Sequence, residues 1–149
     1  MSKLKITYKN YFNNYAKLLD NSTNSKKLDT LKKYIDKVEK NKSKIILIGN
    51  GGSAATASHL LVDFTKQAKI KSINFNEVSL ITAFSNDYGY ENYISKALEF
   101  YSKKRDLVIF ISVSGNSSNL VNGIKFCNKK KIRSVSLTGS NLNNKLNKH

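Results

Sequence analysis

Two stretches of this chain bring together the residue types that phosphate chemistry needs. In the first, Lys44-Ile45-Ile46-Leu47-Ile48 runs into Gly49-Asn50-Gly51-Gly52-Ser53-Ala54-Ala55. An apolar β-branched run, a glycine turn and a helix-forming segment read as a buried strand, a tight bend and a helix start. Glycines let a ligand approach the backbone closely, and the unpaired amides of a helix start attract an anion. Ser53 stands where an N-cap and hydroxyl donor is expected. In the second, Leu107-Val108-Ile109-Phe110-Ile111 runs into Ser112-Val113-Ser114-Gly115-Asn116-Ser117-Ser118-Asn119. Hydroxyls and helix-start amides together can hold a phosphate without a metal or a lysine. Glycine and serine turns also serve as plain punctuation.

Two further pairs are candidates for chemistry. His59 and Asp63 are four apart, so they share one helix face, nearly opposite the apolar stripe of the same segment. A His and a carboxylate so placed can bind a metal or exchange a proton, or form a solvated surface pair. Asn86 and Asp87 can hydrogen-bond a polyol, or form an Asx turn.

The elements that must position these residues follow from periodicity. Residues 1–43 read as two helices, the first carrying Tyr8, Tyr11, Phe12 and Tyr15, the second Leu28, Leu31, Ile35 and Val38. The cluster Asn21–Ser25 reads as the turn between them. The aromatic stripe reads as packing surface. Strands are expected at 44–48, 71–74, 107–111 and 132–137. A helix is expected from Ser53 to about Ala68, with Ala57, Leu60, Leu61, Phe64 and Ala68 as its buried stripe. Another runs from Glu77 to about Ser85 with Asn76 as its cap, followed by a turn at Asn86–Tyr90. Helices near 91–103 and 120–130 complete the pattern, and the last pair of strands should be parallel. Residues 44–139 form the sheet core with its ligand loops. Residues 140–149 are a polar tail with weak helical promise, and 1–149 is one domain.

Composition narrows the function classes. The 149 residues suffice for one real core. No apolar run is long enough to span a membrane, and the Lys-rich start lacks the apolar stretch of a signal peptide. The single Cys127 cannot form an internal disulfide and sits in a helical pattern, which fits a reducing cytoplasmic setting. A formal charge of +16 invites a nucleic-acid reading, but 24 of the 26 basic residues are lysine. Bidentate phosphate and base recognition favours arginine. The lysines are spread along the chain, as AT-rich codon bias would leave them, and the charge can still steer anionic metabolites. The spacing Gly49-x-Gly51-x-x-Ala54 fits a dinucleotide fingerprint, yet no acidic residue follows about 20 positions on.

Taken in order, Gly49–Ala54, His59 and Asp63, Ser85–Tyr90, Ile111–Ser117 and Leu137-Thr138-Gly139 resemble the SIS (sugar isomerase) domain, and within it the phosphoheptose isomerase group. The resemblance implies a three-layer αβα fold with a parallel, flavodoxin-like sheet, and a homotetramer whose sites lie between subunits. It implies conversion of sedoheptulose 7-phosphate to D-glycero-D-manno-heptose 7-phosphate for lipopolysaccharide or capsule. Ser112, Ser114 and Ser117 would hold the phosphate, with Val113 contributing backbone. Asn50, Gly51, Gly52 and Ser53 would line the sugar site, and Asn86 and Asp87 would contact substrate. His59 and Asp63 fall on metal-ligand positions, with zinc the implied ion and Asp63 the implied base. Asp63 stands where other isomerases of the group have Glu. The group's chain continues past this one's end with a strand, a helix, a Gln and a catalytic His, so a C-terminally truncated chain is expected. The competing expectation is a non-catalytic module that binds a sugar phosphate and acts through a protein partner.

Overall fold

The structure, a computed structural model, describes residues 8–19, 22–139 and 143–149. Its elements are α1 (Tyr8–Leu19), α2 (Ser22–Lys40), β1 (Ile45–Gly49), α3 (Gly52–Lys66), β2 (Ser72–Asn74), α4 (Val78–Tyr88), α5 (Tyr93–Tyr101), β3 (Leu107–Ser112), α6 (Ser118–Lys130), β4 (Arg133–Thr138) and a 3-10 turn at Leu146–Lys148. Contacts divide it into two compact units, Met1–Tyr34 and Ile35–His149.

In the first unit, Tyr8, Tyr11, Phe12 and Tyr15 are all exposed. The aromatic stripe expected to pack is therefore left open among the described residues. Ser22–Ser25, expected as a turn, form the first turn of α2, because short polar residues favour helix starts as much as bends. Asn21 lies outside the described residues.

The second unit is built on four parallel strands in the order β2-β1-β3-β4. The chain leaves β1 for β2, then returns past β1 to β3. Right-handed crossovers in opposite directions place their helices on opposite faces, so α3 covers one face and α4, α5 and α6 the other. This is the expected flavodoxin-like α/β arrangement. Because β1 and β3 are central and covered on both faces, they read as unbroken apolar runs. Ile46, Ile48, Val108 and Phe110 pack against Ile94, Leu98, Leu120 and Ile124. The alternate residues Ile45, Leu47, Leu107 and Ile109 are also buried.

Several local expectations are corrected. α3 ends at Lys66, so Ala68 lies beyond it and is exposed. Ala57 is the fully buried member of its stripe, while Leu60, Leu61 and Phe64 are half-buried. Glu77, not Asn76, caps α4, its Oε2 accepting from the Leu80 amide at 2.8 Å. Hydrogen bonds from the Ser79 and Leu80 amides hold this carboxyl below its usual range. Asn76 instead donates to Ala54 O at 2.9 Å and to Ser58 Oγ at 2.8 Å, tying the end of β2 to α3. Asn86, Asp87 and Tyr88 form the last turn of α4 rather than a loop. The tail also differs. Leu146 is fully buried in the main core, which a polar tail would not predict. No described helix is long and apolar enough to cross a membrane.

Cys127 is buried as expected, and desolvation pushes its thiol from 9.0 up to about 12. A thiol reagent at pH 8 should therefore leave the native chain unlabelled and modify one thiol in denaturant. Folding raises this pKa, so the neutral thiol favours the folded state below pH 9. That contribution is lost as the pH climbs from 9 toward 12. Rapid labelling of the native chain at pH 8 would show that the α6–β3 packing opens.

Candidate functional site

Both candidate loops leave the carboxyl ends of neighbouring strands. Gly49 of β1 lies opposite Ile111 of β3, and adjacent strands are about 4.8 Å apart. The chain reverses direction between these two strands, so the loops flank the switch point where open α/β sheets bind ligands.

The glycines of the first loop do different jobs. A Cβ on Gly49 would lie 2.6 Å from the carbonyl carbon and oxygen of Ser53. Its bareness lets α3 start directly against β1. Gly51 has φ +53°, a conformation that L side chains rarely adopt. A Cβ on Gly51 or Gly52 would meet nothing within 4 Å, so these two are bare for a reason other than packing. Open space over a helix start is room for a ligand. α3 begins at Gly52 with Gly51 as N-cap, which corrects the expectation that Ser53 caps it. Ser53 instead gives its amide to Asn50 O at 3.0 Å within the first turn. Among the described residues, nothing accepts from the amides of Gly51 and Gly52.

The second loop is braced from within and from the tail. The buried Ser112 Oγ accepts from the Gly115 amide at 3.1 Å, so this hydroxyl shapes the loop and keeps its own proton to donate. Ser114 is exposed, its Oγ accepting from the Asn116 amide at 3.3 Å. Val113 is exposed, and its carbonyl accepts from Gly139 N at 3.1 Å. Ser117 is the N-cap of α6 and makes no capping bond. Nothing described accepts from the amides of Ser118 and Asn119. From the tail, Leu146 N donates to Gly115 O at 3.0 Å and Lys145 N to Asn116 Oδ1 at 3.0 Å. Two helix starts with idle amides, one lined by glycine and one by serine hydroxyls, thus sit side by side.

A side-chain clasp joins the loops. The amides of Asn50 and Asn119 exchange two hydrogen bonds, each 3.0 Å. Asn119 is 1% exposed, and its Oδ1 also accepts from the Leu120 amide. Tyr90 OH donates to Asn50 Oδ1 at 3.4 Å, which brings the segment after α4 to the same place. Burial, with the neighbouring Tyr90 as a smaller cause, raises the Tyr93 hydroxyl to about 12, against a hydrogen bond to Asn119. Asn50 therefore spends most of its side chain holding the loops together. Asn119, Tyr90 and Tyr93 carried no role in the sequence reading. The one visible signal was an amide beside the apolar Leu120 at a helix start.

The remaining candidates make no hydrogen bond to either loop among the described residues. Asn86 and Asp87 are exposed and bonded to each other at 3.0 Å, three residues before Tyr90. His59 Nε2 and Asp63 Oδ2 are 3.5 Å apart on the outer face of α3, with side chains 80% and 50% exposed. At 1.5 Å per residue they stand about 10 Å and about 16 Å along the helix from Gly52. Zinc takes four donors. His59 and Asp63 supply two, and no group of three His, Cys, Asp or Glu occurs among the described residues. The pair alone does not make a zinc site.

A doubly wound α/β sheet with two anion-ready loops at its switch point defines the class of this protein. It belongs to the SIS domain family, whose model matches residues 10–139. The chain is 41% identical over 110 residues to phosphoheptose isomerase 2 of Campylobacter jejuni, covering 70% of this chain and 55% of that protein. It is 40% identical over 109 residues to the phosphoheptose isomerase of Aneurinibacillus thermoaerophilus, covering 69% and 55%. The chain thus spans about half the length of these curated relatives. Among solved structures, the phosphoheptose isomerase of Neisseria gonorrhoeae superposes with a TM-score of 0.74 at 26% identity, covering 90% of this chain and 76% of that one.

Proposed function

We propose that this chain is a phosphoheptose isomerase that binds sedoheptulose 7-phosphate and forms D-glycero-D-manno-heptose 7-phosphate for surface polysaccharide, in the cytoplasm and as a homotetramer. The observation that carries this reading is the pairing of two helix starts at one switch point. The serine loop, with Ser112, Ser114, Ser117 and the amides of α6, suits the phosphate. The open space above Gly51 and Gly52, with Asn86 and Asp87 nearby in sequence to Tyr90, suits the sugar. The relatives' names supply the reaction class.

Ketose–aldose interconversion moves a proton between adjacent carbons through an enediol, which needs a positioned base. Asp63 is the base in this proposal. In this proposal the carboxylate, about 16 Å along α3 from Gly52, serves the loops of a second copy, and the tetramer belongs to the reading for that reason. Zinc belongs to it as well, with His59 and Asp63 as two donors and the rest from outside the described residues. When bound, the metal would polarise the substrate oxygens.

The test is to incubate the chain with sedoheptulose 7-phosphate and follow binding and aldose formation. Ser114→Ala should weaken binding at least tenfold, since a hydrogen bond to a charged group contributes about 1.5–3 kcal/mol. Its far-ultraviolet dichroism should not change, because Ser114 is exposed. Binding without turnover would favour the sugar-phosphate module acting through a partner. Unchanged affinity in Ser114→Ala would remove the phosphate from this loop.

A further inference from the structure

Five of the 24 lysines and one of the two arginines are gathered by the topology at the end of the sheet opposite the loops. Lys44 directly precedes β1, Lys71 precedes β2, and Lys103, Lys104 and Arg105 lie just before β3. These strands are neighbours in the order β2-β1-β3. Together with Lys42 these residues line a cleft of about 520 Å³. Lys42, Lys71, Lys103, Lys104 and Arg105 are exposed.

The cleft contains one carboxylate, Asp106, and its charge is already committed. Asp106 is 2% exposed. Its Oδ1 accepts from Lys44 N at 3.2 Å, and its Oδ2 from Lys44 Nζ and from Lys103 N, both at 2.7 Å. It pins the β1 and β3 entry loops together beneath the cations and neutralises one of them. The other five have no carboxylate partner among the described residues. Like charges crowded around a concavity raise the local potential and concentrate anions there.

We propose that this cleft is a second anion site, distinct from the switch-point crevice, that takes a polyphosphate chain of three or more linked phosphoryl groups. Its volume suits a small molecule, and lysines serve as point charges for phosphates without requiring a fixed fork geometry. The six-residue strand β3 separates it from the serine loop by about 20 Å. It does not depend on the isomerase reading.

The experiment is calorimetric titration of the chain at low salt with inorganic triphosphate, with inorganic phosphate and a single-stranded oligouridine as comparison probes. Triphosphate should bind more tightly than phosphate. Lys71→Gln with Lys104→Gln should weaken it about tenfold, as the loss of two charges near a polyanion predicts. Both side chains are exposed, so the double variant should fold, and its thermal midpoint checks this. Ser114→Ala should leave triphosphate affinity unchanged. The proposal is overturned if triphosphate fails to bind, or if the double variant binds it as the parent does. Loss of triphosphate affinity in Ser114→Ala would place the anion in the serine loop instead. Tighter, Lys71- and Lys104-dependent binding of the oligouridine would make this face a nucleic-acid surface and equally overturn it.

Discussion

Gly49→Ala is expected to lower stability by about 3 kcal/mol, the upper range for forcing an extra carbon into a packed interior. The atoms in the way are the carbonyl carbon and oxygen of Ser53 at 2.6 Å and its Cβ at 2.9 Å. Two of these belong to the backbone of the first turn of α3, so no rotamer change relieves the contact. The helix must move away from β1, or β1 must leave its pairing with β3, where Gly49 stands opposite Ile111. Either movement also displaces the amides of Gly51 and Gly52, so sugar-phosphate affinity should fall with stability. Gly52→Ala is the control. Its Cβ meets nothing within 4 Å, and the position is helical. It should be neutral or up to about 1 kcal/mol stabilising by helix propensity, while narrowing the space left for a ligand. Urea midpoints for the two variants, with affinities measured alongside, check this. Equal midpoints would mean that α3 does not pack on β1 as closely as the structure has it.

The strands and both loops were legible because each rests on local chemistry. The β-branched runs Ile45–Ile48 and Leu107–Ile111 can only be central strands, and the glycine and serine bends follow them directly. The outward-facing His59 and Asp63 were legible from spacing alone. Features that depend on partners distant in the chain were not legible. Asn50 meets Asn119 across 69 positions, and the pairing exists only because β1 and β3 are neighbours. Leu146 is one of two leucines in a polar tail, yet it enters the core and its amide braces Gly115. Helix starts were misjudged at Ser53 and Asn76 for a related reason. Both are good capping residues by type, but Gly51 accepts the backbone geometry that α3 needs, and Asn76 is drawn off by Ser58 and Ala54. The basic cleft is only partly written in the sequence. Lys103-Lys104-Arg105 is a visible run, but Lys42, Lys44 and Lys71 join it only through the strand order.

Asp106→Ala should destabilise the chain by about 3 kcal/mol, because removing one partner of a buried pair strands the other. Three donors lose their acceptor together: Lys44 Nζ, Lys44 N and Lys103 N. Lys44 retains some contact with water at 20% side-chain exposure, so its ammonium can be partly rehydrated. The two amides sit at the entries to β1 and β3 and have no other described acceptor. Asp106→Asn separates the two contributions. It keeps one oxygen for one of the two amides, removes the charge, and turns an NH2 group toward the donors of the other oxygen. It should cost about 1–2 kcal/mol. Lys44→Met in the Asp106→Asn background should then cost little more, since the charge it would strand is already gone. Lys44→Met in the parent leaves the carboxylate with only two amide donors and should cost about 1 kcal/mol or more. The four urea midpoints form a double-mutant cycle whose coupling isolates the ion pair. A coupling near zero, with Asp106→Ala still costly, would assign the role of Asp106 to the two amides, and the carboxylate would act as a loop brace rather than as a counter-charge. An Asp106→Ala chain as stable as the parent would contradict both roles.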